Sequence, residues 1–525
     1  METTAGAIQA DRSLYAPGPP VGQDQPLLID NGTVRTMDPS CPEASWVLVV
    51  RGAVQRVGIG QPLVTGPVQR VDLRGRTLIP AFCDAHVHLT WVATACLGPD
   101  LSPAGSVAEL LAALGSWQGA GRGPDAAWLV GDGFDDSVWK EKRLPTRGEL
   151  DRIESGRPVL VKRVCGHVGV VNSRGLATLP PGQYTDAESG RIAETDLAAL
   201  NDRLRPDAEK LAAVLPQVVQ RLHAHGIAAV HDVASVEMLR ALQIQRGRGG
   251  FGLRVSCSLP SASLGALRAC GLQSGFGDPW LRILGIKVFV DGSLGAHTAW
   301  LRQPYADAPH TRGAPLFGAA EFAALARAAD ASGLQLMVHA IGDAALERAL
   351  SALAPVAAAG NPLRHRLEHV EVTPPDVVER LAGAGLWACV QPNFAGRWSR
   401  PGGMNEQRLG DRLAHCNAYR TLLQAGVRLG FGSDCMPLGP LEGIRAAVEH
   451  PIASERMSPQ QALELYTSAP AAFVHAESCH GRIRPGMVAD LVVLSHDPLD
   501  PGGLASARVD ATFVAGELVY ERLES

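Results

Sequence analysis

GLQLMVHAIGDAALERALSALAPVAAAGNPLRHRLEHV, residues 333–370, reads as strand, helix, strand. An apolar run opens it behind a glycine, an alanine-rich amphipathic stretch follows at 343–358, and a second short strand closes it. Each strand ends on a histidine, His339 and His369. A helical crossover of this kind joins parallel strands. Working outward, the same alternation recurs. Further strand candidates are RTLIPAFCD, GIAAVHDV, GLRVSCSL, LRILGIKVFV, GLWACVQPNF and GVRLGFGSD, and further amphipathic helices fall at 320–332, 374–384 and 411–425. Eight strands with intervening helices predict an α/β fold, a (β/α)8 barrel of the TIM type. In that fold chemistry gathers at the C-terminal strand ends.

The flanks read differently. Short strand-like pieces separated by turn formers occupy 27–76 and 480–525, and neither stretch alone carries enough strands for a closed sheet. The expectation is one small β-sandwich built from both chain ends, with the barrel, 77–479, between them. Residues 1–26 read as a flexible tail without a signal peptide. The gap between the first and second barrel strands, about 90–225, is too long for a connection and is expected to be an insertion covering the active site.

Composition excludes several classes. Of 525 residues, 46% are hydrophobic and 19% charged, which suits a folded chain with a large core. Charge balances at 48 − 53 = −5 with no basic block, so nucleic acid and acidic membranes are not expected partners. No run of eighteen apolar residues predicts a membrane span. Ten scattered cysteines read as free thiols, which gives a cytoplasmic protein as the expectation. A small-molecule substrate and a homodimer complete the expected partners.

Asp84-Ala85-His86-Val87-His88 ends the first strand, and alternation puts His86 and His88 on one side. Together with His339, His369 and Asp434 at other strand ends, they point to a metal site. Lys287 stands apart. Only five of the 48 basic residues are lysines, and Lys287 is the one outside 140–210, alone in the apolar run ILGIKVFV. Burial favours its neutral amine, which can add carbon dioxide to give a carbamate. The alternative is a paired ammonium beside Asp291 or Asp434.

HVH at 86–88, KVFVDGSLGAHTAWL at 287–301, HAIGDAA at 339–345, RLEH at 366–369 and GSDCMP at 432–437 resemble the amidohydrolase superfamily. More closely, the chain is similar to the amidohydrolase-3 branch of YtcJ-like and N-substituted formamide deformylase-like hydrolases. VLVKRVCGHVGVVNSRGL and GQYTDAESGRIAETD extend the resemblance into the insertion. It implies two divalent metals, zinc first, with manganese, iron or nickel as alternatives. His86 and His88 would take the more buried ion, His339 and His369 the more exposed one, and carbamylated Lys287 would bridge them. Asp434 would bind the first metal and handle the proton for a metal-bridged hydroxide.

The implied reaction is hydrolysis of a non-peptide C–N bond in an N-substituted amide or formamide. A mononuclear aminohydrolase (deaminase), a carbamate, ester or lactone hydrolase, and a non-catalytic regulator are the alternatives. His167 is the second catalytic candidate, and Arg163, Asp291, Ser293, Gln391 and Trp139 are candidate substrate contacts. For Ser293 and Asp291 the glycine-rich turn is itself an alternative. For Trp139, with Trp128 and Phe134, the alternative is packing inside the insertion.

Overall fold

The protein is described by a computed structural model covering residues 25–523 except 63, 65, 118–127, 165 and 167. Two compact units form. One comprises the chain up to His88, Val219–Val236 and everything from Gly249; the other comprises Leu89–Val218 and Glu237–Arg248.

The first unit holds the barrel. Its eight strands, in chain and spatial order, are Phe82–Val87, Ile227–Val233, Arg254–Pro260, Leu281–Phe289, Gln335–Ala340, Arg366–His369, Trp387–Val390 and Arg428–Phe431. Each pairs in parallel with the next, as Met337 with Arg366 and His339 with Glu368. Helices Ala319–Asp330, Asp343–Ala357 and Pro375–Gly383 separate strands four to seven and bury apolar faces. Strands covered on both sides read as continuous apolar runs, which is why Gln335–Ala340 is buried throughout.

Two readings shift. RTLIPAFCD is not one strand: Thr77–Pro80 pairs with Thr33–Val34 and Leu491–Leu494, outside the barrel, which opens at Phe82. The helix expected at 411–425 divides into a 3-10 turn, Gly410–His415, and the helix Tyr419–Gln424, with Asn417 between them at φ +58°.

Both chain ends build a two-layer β structure. A four-stranded sheet orders Ala53–Gly58, Trp46–Val50, Leu27–Asp30 and Gln69–Asp72. A six-stranded sheet orders Glu517–Glu521, Val509–Val514, Leu491–Leu494, Thr77–Pro80, Thr33–Arg35 and Glu43–Ala44. Ile29, Val47 and Val49 pack with Leu78, Leu491 and Phe513 in their shared core. This layer is tied to the third barrel strand by ions. Asp490 Oδ2 lies 2.8 Å from Arg254 Nε and 3.2 Å from His480 Nδ1, and Oδ1 accepts from the Ala515 amide at 2.8 Å. Burial opposes that carboxylate's charge, but Arg254 and then His480 hold it well below the usual range.

The second unit carries its own five-stranded sheet, ordered Thr185–Asp186, Arg191–Ala193, Val168–Val171, Val159–Arg163 and Leu129–Phe134. Helices Val107–Ser116 and Arg147–Ile153 pack their leucines into a core with Phe134 and Trp139. Thr146 and Glu149 cap the second helix reciprocally, each side chain taking the other's backbone N–H.

Candidate metal centre

The site grows from the ends of strands one, four, five, six, seven and eight. In the first strand alternation turns His86 and His88 the same way, and their rings lie 5.4 Å apart. The eighth strand brings Asp434 against them. Its Oδ1 is 3.1 Å from His88 Nε2 and 3.6 Å from His86 Nε2. This approach needs Gly432, where a Cβ would come 2.5 Å from the His86 amide nitrogen. Asp434 follows at φ +52°, a left-handed turn that re-aims its carboxylate.

His86, His88 and Asp434 place one donor atom each within 4.8 Å of one another, all buried. Burial first, and then the Lys287 ammonium, keeps His86 far below the ordinary histidine range. Asp434 Oδ1 is buried, and the ring nitrogens of His86 and His88 lie beside it without a well-aligned hydrogen bond. Lone pairs from a neutral imidazole and a carboxylate therefore converge where a cation belongs. The donor set fits a divalent metal, and imidazole with carboxylate suits zinc.

Strand four places Lys287 beside this cluster, with Nζ 3.4 Å from His86 Nε2 and 4.8 Å from the centre of the Phe289 ring. It is 2% exposed. Burial lowers its pKa to about 8, with Glu368 and Asp434 pulling the other way. Strand six adds His369, whose ring is 4.9 Å from that of His86 and 4.4 Å from that of His339. A φ of +72° at His369 breaks the alternation of the strand, so Glu368 and His369 both reach His86's surroundings.

His339 is placed differently from the tight cluster. Its Nε2 lies 2.9 Å from the Gly292 carbonyl and 3.5 Å from Asp291 Oδ1. A metal at Nε2 would have to exchange the Gly292 hydrogen bond.

The expected substrate contacts separate into groups. Asp291 is buried beside His339 and accepts backbone N–H groups from Trp300, Ile341 and Gly342 at 2.8, 3.1 and 2.9 Å, joining the loop after strand four to the end of strand five. Burial raises its carboxyl to about 7 against those hydrogen bonds. Ser293 donates its amide to Thr298 Oγ1 and accepts at Oγ from the Ala296 amide, the self-contained turn of the alternative reading. Gln391, 1% exposed, has its Oε1 2.9 Å from His369 Nδ1, so it braces that ring rather than facing open space.

Two expected residues belong to the second unit. Arg163 is held there by Asp135 and Asp136 at 3.0 and 2.6 Å. Trp139 is 1% exposed, stacks on Phe134 and donates to the Ala104 carbonyl, which is the packing alternative. His167 lies outside the described residues.

Sequence reasoning passed over Arg366 and Glu368. Glu368 Oε2 is 2.5 Å from His86 Nδ1, and Arg366 Nε donates to Glu368 Oε1 at 2.7 Å. The i, i+2 spacing in RLEH was the available signal, since it puts both charges on the interior face of a buried strand.

The Amidohydrolase family model matches residues 69–520. YtcJ of Bacillus subtilis (strain 168), which carries an amidohydrolase name, is 29% identical over 515 residues, 90% of this chain and 94% of its own. An N-substituted formamide deformylase of Arthrobacter pascens is 27% identical over 553 residues, covering 96% and 100%. Among solved structures, an uncharacterized metal-dependent hydrolase from Pyrococcus horikoshii OT3 superposes with a TM-score of 0.78 at 28% identity, covering 92% and 100%.

Proposed function

The chain belongs to the Amidohydrolase family, and from that premise we propose that it hydrolyses a non-peptide C–N bond, that of an N-substituted amide or formamide, in a small molecule. The buried convergence of one donor atom each from His86, His88 and Asp434, with Lys287 Nζ 3.4 Å from His86 Nε2, carries the reading. The substrate class draws support from the name of the Arthrobacter pascens relative, similar over the whole of its length.

His86, His88 and Asp434 would hold one divalent ion, zinc by donor type, and His339 and His369 the second. Lys287 would join the two sets. Its neutral Nζ attacks the carbon of carbon dioxide, a C–N bond forms, one C=O electron pair moves to oxygen and a proton leaves to solvent. The resulting anion would offer one oxygen to each ion. When bound, the ions activate water near neutral pH and polarise the scissile carbonyl. The Asp434 carboxylate, turned into the cluster, would accept the water's proton on the oxygen not given to the ion and return it to the leaving nitrogen. Gln391 and Asp291 keep their places at His369 and the strand-five end. His167 is the candidate for contacting the substrate.

A screen of N-formyl, N-acetyl and carbamoyl amines, with zinc- or manganese-loaded protein in bicarbonate buffer, tests this. Release of free amine supports it. Turnover of esters or lactones alone, or release of ammonia from an amino-heterocycle, would replace it.

A further inference from the structure

His86 is gripped from behind by a closed, buried chain of charges. Glu368 Oε2 meets His86 Nδ1 at 2.5 Å, and Arg366 Nε donates to Glu368 Oε1 at 2.7 Å. Arg366 also donates from Nη1 to His231 Nδ1 at 2.9 Å and from Nη2 to the Ala85 carbonyl at 3.0 Å, one residue before His86. His86, Arg366 and Glu368 are 0% exposed and His231 is 2%.

These bonds place protons. A guanidinium has donors only and keeps its charge, so both of its side-chain partners must accept. Glu368, facing that permanent cation, is the ionised partner and accepts on both oxygens. The proton shared with His86 therefore belongs to Nδ1, and neutral His86 presents a bare Nε2. That atom is the one turned towards Asp434 Oδ1 and Lys287 Nζ. Arg366 further fixes the backbone carbonyl just before the ligand, which limits how His86 can drift.

His86 Nδ1, Glu368 and Cys389 also lie close enough to suggest an ion of their own. The Arg366 guanidinium on Glu368 and the Nδ1 proton take up those lone pairs, so the group acts as a support.

We propose that Arg366 and Glu368 are positioning residues that lock His86 into the tautomer with an unprotonated Nε2, and so set the affinity for the ion held by His86, His88 and Asp434. The inference rests on the metal-site reading above. A plain structural ion pair would govern folding and leave metal affinity untouched, which separates the two explanations.

The test titrates zinc alone into metal-free protein against a chromophoric chelator and records the melting of the same metal-free samples. Glu368→Gln keeps the shape but can offer His86 an N–H, so both tautomers become accessible. Zinc affinity should fall by about 10–100-fold while the metal-free melting curve stays cooperative. Because removing one partner of a buried pair can prevent folding, Arg366→Met/Glu368→Gln removes both charges and should show the same loss of affinity. A folded double variant that binds zinc as tightly as the wild type would overturn the proposal. Wild-type protein that binds no zinc would overturn both this and the proposed function. Tight wild-type binding with no amide turnover would count against the proposed reaction alone.

Discussion

The backbone amide of Asp434 donates to the carbonyl of His86 at 2.8 Å. The eighth barrel strand is thereby fastened to the first at the point where both deliver a candidate ligand. The Ser433 amide adds a second tie to Asp84 Oδ1, also at 2.8 Å. Closing the barrel and assembling His86, His88 and Asp434 are one event.

Purified protein should contain close to two divalent ions per chain, and chelators should abolish turnover. Elemental analysis with activity before and after metal re-addition checks this. Full activity with one ion would retain the hydrolase and remove the second site, a result that the His339–Gly292 hydrogen bond would then explain.

Asp434→Asn keeps the side chain's size but cannot take a proton. Turnover should drop by about 10²–10⁴, and metal content should fall much less. Unchanged turnover would assign proton transfer to another group.

Lys287→Ala should lower activity by about 10²-fold or more, with partial recovery in short carboxylic acids. Lys287→Arg should not recover, since its guanidinium stays cationic and fills the space. In the wild type, ¹³C-labelled bicarbonate should give a carbamate resonance absent from both variants; no such signal in active protein would leave Lys287 as an ammonium.

His167→Ala should reduce rate or affinity on a confirmed substrate while both ions stay bound. Wild-type kinetics in this variant would discharge His167 from substrate contact.

Acid stability should report on Asp490. Its folded-state carboxyl titrates below the ordinary value of about 4. Its ionisation therefore stabilises the fold fully above that value, and the contribution is lost progressively as pH falls from there through the lowered folded-state value. Asp490→Asn leaves Arg254 buried without its charge partner and should cost about 3–5 kcal/mol near neutrality. The gap in melting temperature between wild type and variant should stay constant from pH 7 to about 4 and narrow only as the pH falls further; a gap that does not narrow down to about pH 2 would remove Asp490 as the source.

The strand-end histidines are legible because glycine and apolar runs mark each strand boundary in the sequence. RLEH shows the limit. His369 is conspicuous at a terminus, whereas the work of Arg366 and Glu368 depends on facing His86 and His231 across the barrel, a neighbourhood no local pattern encodes. Gln391 looked like a pocket residue because its strand end was visible and its partner, His369 on the adjacent strand, was not. Thr77–Pro80 reads as part of the barrel because an apolar strand carries no mark of which sheet will receive it, and Ala81 separates two strands too briefly to read as a turn.

Thr77–Pro80 also sets a schedule for synthesis. One of its edges meets Thr33–Val34 early, but the other waits for Leu491–Leu494, some four hundred residues later. At roughly 5–20 residues per second, translation leaves that edge open for something like 20–80 s. A nascent chain stalled anywhere in the barrel offers the ribosome's surroundings a bare apolar ribbon. Ribosomes that finish quickly, or chaperones that shield the ribbon, would decide how much of the protein escapes aggregation.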